Sequence, residues 1–369
     1  MSEWKEYRIG DIGNFSYGKM PKKDKLNTGD YPTFSGYKYQ FTYPEYNCKK
    51  NDLIVVARGV GGTGDVKVVK EDCYLTNLSL KMDFDTNIVD KTFVFYYYFK
   101  DTLRYLDSGS AQSQITINDL SDAFISLPPL KEQKAIAEVL SSLDDKIDLL
   151  HSQNKTLEEL AQTLFRQWFI EEAKDDWEVG TLDDIMNFNP THSIKKGFLS
   201  PFLEMKNVQT NKSSVADWYK REFTSGTKFK NDDTLLSRIT PSLENGKTAY
   251  VDFLKKDEIG WGSTEFIVMR MKNSFHPFIS YLVARNKDFR KFAIGNMTGS
   301  TGRQRVQAQD IKMYEIAIPP IEEIKKLNIV IEPIPIKIKS NSKQIKTLEN
   351  MRDTLLPKLM SGEVRIKYE

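Results

Sequence analysis

The sequence predicts two tandem α/β (α+β) modules, each followed by a long helix, with a pseudo-two-fold relation between the halves. Three observations carry this expectation. The segment ISLPPLKEQKAIAEVL at 125–140 is answered by IAIPPIEEIKKLNIV at 316–330, an offset of 191 residues. The opening WKEYRIGDIGNF returns as WEVGTLDDIMNF, pairing Trp4 with Trp177 and Asp11 with Asp184 at an offset of 173. After each Pro-Pro pair, apolar residues recur at alternating spacings of four and three, the seam of a coiled coil. The expected division is a first module at 1–128, a helical region at 129–175, a second module at 176–319 and a second helical region at 320–369.

Within each module the same elements are expected in the same order. NDLIVVAR and DDTLLSR, with Asp52 and Asp232 each six residues before Arg58 and Arg238, read as buried strands running into a loop. The loops GVGGTGDV and ITPSLENGKTAYV are turn-rich and lead back into apolar strands. YLTNLSLKM alternates like a half-buried strand, and TFVFYYYFKDTLRYL reads as a helix whose partner is PFISYLVARNKDFRKF. A Gly-Ser loop, SGSAQSQIT or TGSTGRQRV, then precedes the Pro-Pro signature.

The first helix presents Ile136, Leu140, Leu143, Ile147, Leu150, Asn154, Leu157, Ala161, Leu164 and Trp168 along its seam. Leu327, Ile331, Ile334, Ile338, Asn341, Ile345, Leu348, Arg352, Leu355 and Leu359 take the corresponding places in the second. Asn154 is either a buried amide that fixes register and partner or a solvated break in the stripe. Pro333 and Pro335 are expected to interrupt the second helix, leaving it continuous from about Lys339 onward. Because a whole module separates the helices, they can pair within one chain as an antiparallel coiled coil with the modules at opposite ends. About 35 residues of helix span roughly 50 Å, against about 34 Å for a turn of DNA. The alternative is a pair of ordinary core helices.

With 40% hydrophobic and 12% aromatic residues, the 369-residue chain can bury a sizeable core. Its 53 Lys plus Arg against 51 Asp plus Glu leave a net charge of +2, so local clustering must decide any nucleic-acid role. Cys48 and Cys73 fit no zinc or redox spacing and read as small core residues. The charged start lacks a signal-peptide core and no apolar run reaches bilayer length, so a soluble cytoplasmic protein without a membrane partner is expected. GVGGTGDV lacks the Gly-Lys-Ser/Thr of a phosphate-binding loop and reads as a connection between strands. NFNPTH has the Asn-Pro start of an adenine methyltransferase motif, but Thr191 and His192 stand where a second proline and an aromatic belong. His151, His192 and His276 make no metal spacing and read as solvated surface. No catalytic residue, metal site or cofactor is expected in the chain itself.

The order of start motif, Asp-to-Arg strand, Gly-Ser loop, LPPLKEQ and a leucine-rich helix ending in TLFRQWF or TLLPKLMSGEV resembles the specificity subunits of type I restriction-modification enzymes. The resemblance covers essentially the entire chain. It implies two target-recognition domains, each reading half of a split site in double-stranded DNA, held apart by the helical spacer. It also implies two modification (methyltransferase) subunits using S-adenosylmethionine, and restriction (translocase-nuclease) subunits using ATP and Mg. One departure is IPPIEEIKKL, where Ile324 stands at the place of Gln133.

A duplex reader needs cations for phosphates, and Arg, Lys, Asn or Gln for base edges. In the first module the candidates are Lys19, Lys22, Lys23, Lys25, Lys38, Arg58, Gln112 and Gln114. In the second they are Lys195, Lys196, Lys206, Arg238, Arg303, Gln304 and Arg305. Each lysine is otherwise a solvated surface charge, and Arg58 and Arg238 are otherwise ion-pair partners closing their strands. The loops of Gln114 and Gln304 are either base-reading loops, matched in place and divergent in flanking residues, or structural turns.

Overall fold

Strand pairing closes each repeat on itself. A computed structural model of the chain describes residues 4–36, 38–59, 62–107, 113–171, 176–272, 274–300 and 302–366. The chain forms two compact units, Met1–Lys146 with Leu348–Glu369 and Ile147–Thr347.

Unit 1 begins with β1 (Lys5–Arg8), β2 (Gly13–Tyr17), β3 (Tyr31–Ser35), β4 (Lys38–Tyr43), β5 (Leu53–Val56), β6 (Val66–Val68), β7 (Tyr74–Leu75) and β8 (Ser79–Phe84). Helices α1 (Lys91–Tyr97) and α2 (Ile117–Asp122), strand β9 (Phe124–Leu127) and the long helix α3 (Leu130–Arg166) follow. β2, β8, β5 and β6 form a four-stranded sheet, β4, β3 and β7 a second, and β1 pairs antiparallel with β9. That last pair explains two of the sequence repeats at once, because the start motif and the residues before Pro-Pro are the two halves of one ribbon.

Unit 2 repeats the plan with β10 (Glu178–Thr181), α4 (Leu182–Ile185), β11 (Met186–Phe188), β12 (Leu199–Leu203), β13 (Tyr219–Glu222), β14 (Thr227–Phe229), β15 (Thr234–Ser237), β16 (Thr248–Tyr250), β17 (Gly260–Gly262) and β18 (Phe266–Met271). Then come α5 (Ile279–Arg285), α6 (Lys287–Gly295), α7 (Ala308–Ile311), β19 (Glu315–Ile318), α8 (Ile321–Ile331) and α9 (Pro333–Met360). The sheets are β11-β18-β15-β16, β13-β12-β17-β14 and β10-β19.

Several expectations are refined. YLTNLSLKM is two strands, β7 and β8, divided at Thr76–Leu78, and β8 is buried along most of its length. PFISYLVARNKDFRKF is two helices rather than one, because Asn286 turns out of helical geometry and its side chain accepts from the N–H groups of Asp288 (2.8 Å) and Phe289 (3.0 Å). Helix α9 starts at Pro333, earlier than Lys339. Both prolines lie in its first turn, where no intrahelical N–H bond is required, and only Glu332 separates it from α8. His151, His192 and His276 are half-buried, not solvated, and Cys48 and Cys73 are fully buried. The loop GVGGTGDV joins β5 to β6; a Cβ on Gly64 (φ +93) would lie 2.4 Å from the Arg104 N.

The helices share the module cores. In unit 1, Ile136 and Leu140 of α3 and Leu356 and Leu359 of α9 join Leu53, Val55, Leu80 and Met82 in one apolar cluster. Leu143, Leu348 and Leu355 are half-buried. The seam arginine Arg352 is accommodated by charge: its Nη1 is 2.7 Å from Asp144 Oδ1, and Asp144 Oδ2 accepts from the Tyr96 hydroxyl at 2.7 Å. In unit 2, Ile331, Ile334 and Ile338 cluster with Ala161 and Phe165 of α3, and Leu157 and Leu164 pack against them. Ile147, Leu150 and Ile345 are buried.

Asn154 is buried, so it is not a solvated break in the stripe. The Asn341 side-chain N–H donates to Asn154 Oδ1 at 2.9 Å, and Asn154 Nδ2 donates to Ser342 Oγ at 3.4 Å. Replacing Asn341 alone with Leu leaves the Asn154 amide buried without that partner, and thermal or denaturant unfolding should record a loss of about 1–3 kcal/mol. The double replacement Asn154→Leu with Asn341→Leu should recover most of it, since two apolar groups in contact leave nothing unsatisfied. A double variant no more stable than the single one would show that the amides stabilise the helix pair outright.

Candidate nucleic-acid interface

Antiparallel pairing gathers the loops of unit 1 at one edge of its sheet. Tyr17 lies opposite Leu80, and Val56 opposite Ser79, so the end of β2, the end of β5 and the start of β8 share that edge. The chain leaving β5 reaches Arg58, whose N–H donates to Leu78 O at 3.0 Å and which bridges antiparallel to Gln114. Ile115 N donates to Ala57 O at 2.9 Å, so the far side of the Gly-Ser loop is laid against the strand-end arginine. Asp107 accepts from Gln114 N at 3.1 Å. The Arg58 guanidinium stands 5.8 Å from the Tyr17 ring, and among the described residues its buried Nε has no hydrogen-bond partner.

Two of the lysines join this edge. Gly36, at φ +65, turns β3 into β4, and its carbonyl accepts from Ser79 Oγ at 3.1 Å, which brings exposed Lys38 to the edge. Exposed Lys19 follows β2, with its N–H on Leu75 O at 2.9 Å. Lys22, Lys23 and Lys25 lie elsewhere, at the opposite end of β3. Lys22 N donates to the hydroxyl of Tyr43, which pairs with Tyr31, the first residue of β3. Lys25 is offset by Glu45 at 3.4 Å and stands 6.0 Å from the Tyr43 ring. Gln112 lies outside the described residues.

Unit 2 builds the same junction with different side chains. Arg238 N donates to Glu265 O at 3.0 Å, Val306 N to Arg238 O at 3.0 Å and Thr240 N to Gln304 O at 3.1 Å. The Arg238 guanidinium donates to the Gln307 side-chain oxygen, and its buried Nε, like that of Arg58, has no partner. Arg305 is locked on Glu265 by two guanidinium nitrogens, at 3.0 Å and 2.8 Å, and this hydrogen bonding raises its pKa further. Arg303 is exposed beside it.

The loop after β12 belongs to this edge, because Lys247 Nζ donates to Met205 O at 2.7 Å beside the Ser237 end of β15. Lys206 in that loop is paired with Glu204, which raises the Lys206 pKa and leaves little net charge for a phosphate. Exposed Lys195 and Lys196 precede β12 and sit at its other end, where Gly197 N donates to Phe223 O at 2.9 Å.

Sequence reasoning missed Tyr17, Glu265 and Gln307. Tyr17 stands two residues past the repeated Asn-Phe, a signal within reach, whereas nothing in the local pattern announces Glu265 as the partner of Arg305. Among the described residues no group of three or more His, Cys, Asp or Glu is arranged to hold a metal ion. Nor, among them, is any helix long and apolar enough to cross a membrane.

In unit 1 the strand-end Arg58 lies against Gln114 of the Gly-Ser loop, and in unit 2 the strand-end Arg238 meets Gln307, just past that loop. Arginine forks onto guanine O6 and N7, and glutamine onto adenine N6 and N7, so this pairing of residue types suits base edges. The family model for the type I restriction modification DNA specificity domain matches residues 1–159 and again 174–350. The specificity subunit of the type I restriction enzyme MjaIX from Methanocaldococcus jannaschii is 26% identical, over 99% of this chain and 94% of that protein. The EcoAI specificity subunit from Escherichia coli is 31% identical over 43% of this chain and 28% of its own length. The crystal structure of a type I restriction-modification S subunit from M. genitalium shares the fold, with a TM-score of 0.67 at 19% identity, covering 100% of this chain and 97% of that one. With that family model matched once in each repeat, the chain belongs to the type I restriction-modification specificity subunits and carries two DNA specificity domains in tandem.

Proposed function

We propose that the chain reads an interrupted, asymmetric site in double-stranded DNA, one half-site per unit, and performs no catalysis itself. The observation that carries this reading is an arginine at the end of the corresponding strand in each unit set beside a glutamine, Arg58 beside Gln114 and Arg238 beside Gln307, with different neighbours. Equivalent placement supplies a common way of approaching a groove, and divergent side chains supply two different sequences to be read. The functional division is 1–128 and 176–319 as recognition domains, with 129–175 and 320–369 as spacer helices in an intramolecular antiparallel coiled coil with pseudo-two-fold symmetry. Two modification subunits carrying S-adenosylmethionine dock on this chain and methylate adenine. Restriction subunits bring ATP and Mg for translocation and cleavage. The complex works in the cytoplasm, where its DNA is.

A long-read map of adenine methylation tests the reading, comparing cells that hold the gene and its neighbouring modification subunit with cells lacking only this gene. A two-part motif with a constant gap should vanish with the gene; an unchanged map, with both subunits expressed, sinks the proposal.

Arg58→Ala should relax discrimination in one half-site only, and Arg238→Ala in the other, each by about 1–3 kcal/mol at a base it reads. Competition binding with single-base variants of each half-site measures this. Loss in both halves from either substitution would contradict one reader per half.

A further inference from the structure

The altered copy of the Pro-Pro motif conceals an exchange. In the first repeat Gln133, one turn into α3, is buried, and its Oε1 accepts from Asp90 N at 2.9 Å. Its Nε2 donates to Ile88 O at 2.9 Å and to Pro128 O at 2.8 Å. Asp90 caps α1 by accepting from Phe93 N at 2.9 Å, so a single amide grips the loop between β8 and α1 at a residue and at its neighbour two positions back.

Ile324, at the aligned position of the second repeat, cannot do this and is buried as an apolar side chain. The equivalent loop, between β18 and α5, is nevertheless held in the same way. Asn328 Oδ1 accepts from His276 N at 2.8 Å, and its Nδ2 donates to Ser274 O at 3.0 Å, again a residue and its neighbour two back. Asn328 aligns with Ala137, which is buried. Amide and apolar residue have therefore changed places across one helical turn, Gln133 with Ala137 in one repeat and Ile324 with Asn328 in the other. Helices α3 and α8 start at aligned residues, Leu130 and Ile321, so the second grip lies four residues, about 6 Å, further along its helix.

Apolar contact between a module and its helix is non-directional and tolerates sliding. An amide held at two fixed backbone atoms does not, because displacement breaks both bonds at once; Gln133 is buried and Asn328 half-buried, so the freed groups are only partly open to water. We propose that this clamp is the positioning device that seats each recognition module on its own helix, and that its one-turn displacement gives the two modules different seatings. The proposal rests on the two-half-site reading and adds to it that Gln133 and Asn328 control the gap the protein accepts.

The test uses the chain in complex with its modification subunit and duplexes carrying the mapped half-sites at the native gap or at one base pair more or fewer. The wild type should prefer the native gap, and Gln133→Leu, which removes all three hydrogen bonds of the amide, should lower that preference by about tenfold or more. Discrimination among bases within the second half-site should stay as in the wild type. Moving the clamp, with Gln133→Ile and Ala137→Asn together, should restore a single preferred gap. If Gln133→Leu unfolds, Asn328→Leu applies the same test to unit 2. A folded Gln133→Leu protein with the wild-type gap preference, even one with a lowered melting temperature, overturns the clamp's positioning role. A wild-type complex indifferent to both half-sites instead removes the reading beneath it, and the clamp's role with it.

Discussion

A strand with unpaired backbone groups has to be paired, and in each repeat the first strand finds its partner at the far end of its own module. β1 takes β9, and β10 takes β19, residue against residue over four positions. The partner strand ends directly before Pro-Pro, and the helix begins at Leu130 or Ile321 without further linker. The module therefore cannot close without delivering the helix start to its own base, and neither segment has slack to move independently. β1 and β10 are largely exposed, so cross-strand pairing sets the register of each ribbon, while Ile125 and Leu127 of β9 anchor the first one in the unit 1 core. Shared core residues such as Ile136 and Leu140 in unit 1, or Ile331 and Ile334 in unit 2, then add burial to a geometry already set.

The same economy governs charge at the recognition edge. A guanidinium is worth most at a base edge when its orientation is fixed in advance and a face is left open. Arg58 is oriented by Tyr17 and by the loop carrying Gln114, while Arg238 is oriented by Gln307. Arg305, by contrast, is consumed by Glu265, and Lys206 by Glu204, so these cations shape the edge more than they charge it. The two units therefore present the same backbone frame with different side chains and different charge pairing.

Much of this was legible in the sequence, because repeats and heptad spacing report backbone plan directly. The start motif, the Asp-to-Arg strands and the Pro-Pro helices all mark positions where burial or pairing leaves little freedom. What could not be read depends on contacts between distant segments. Lys22, Lys23 and Lys25 look continuous with Lys19, yet the chain crosses from one end of β3 to the other between them. Asn286 divides an apparently continuous helical pattern because its side chain satisfies the next helix's N–H groups, an outcome that apolar periodicity does not encode. Pro333 and Pro335 do mark a division of the second helical region, at Glu332, but the helix resumes at Pro333 because both rings fit its first turn. Ile324 looked like a loss until the structure showed Asn328 in the role of Gln133.

Seating a module on a helix has consequence only if the helix itself has one register. Apolar seams slip cheaply, since Ile against Leu is nearly equivalent one turn on, and alternation of Ile and Leu along α3 and α9 would permit it. Asn154 and Asn341 remove that freedom within unit 2. In the observed register each amide has a polar neighbour; in a slipped register both would face Ile or Leu and lose it, and a buried unpaired amide is more costly than the packing regained. Asn341 already leaves its Oδ1 without a partner, so the helix pair accepts some instability in return for a single alignment. The amides of these helices therefore form a hierarchy: the asparagine pair sets one helix against the other, and the glutamine or asparagine clamp sets a module against its helix. Apolar residues supply the stability that both levels draw upon, but they do not choose the positions.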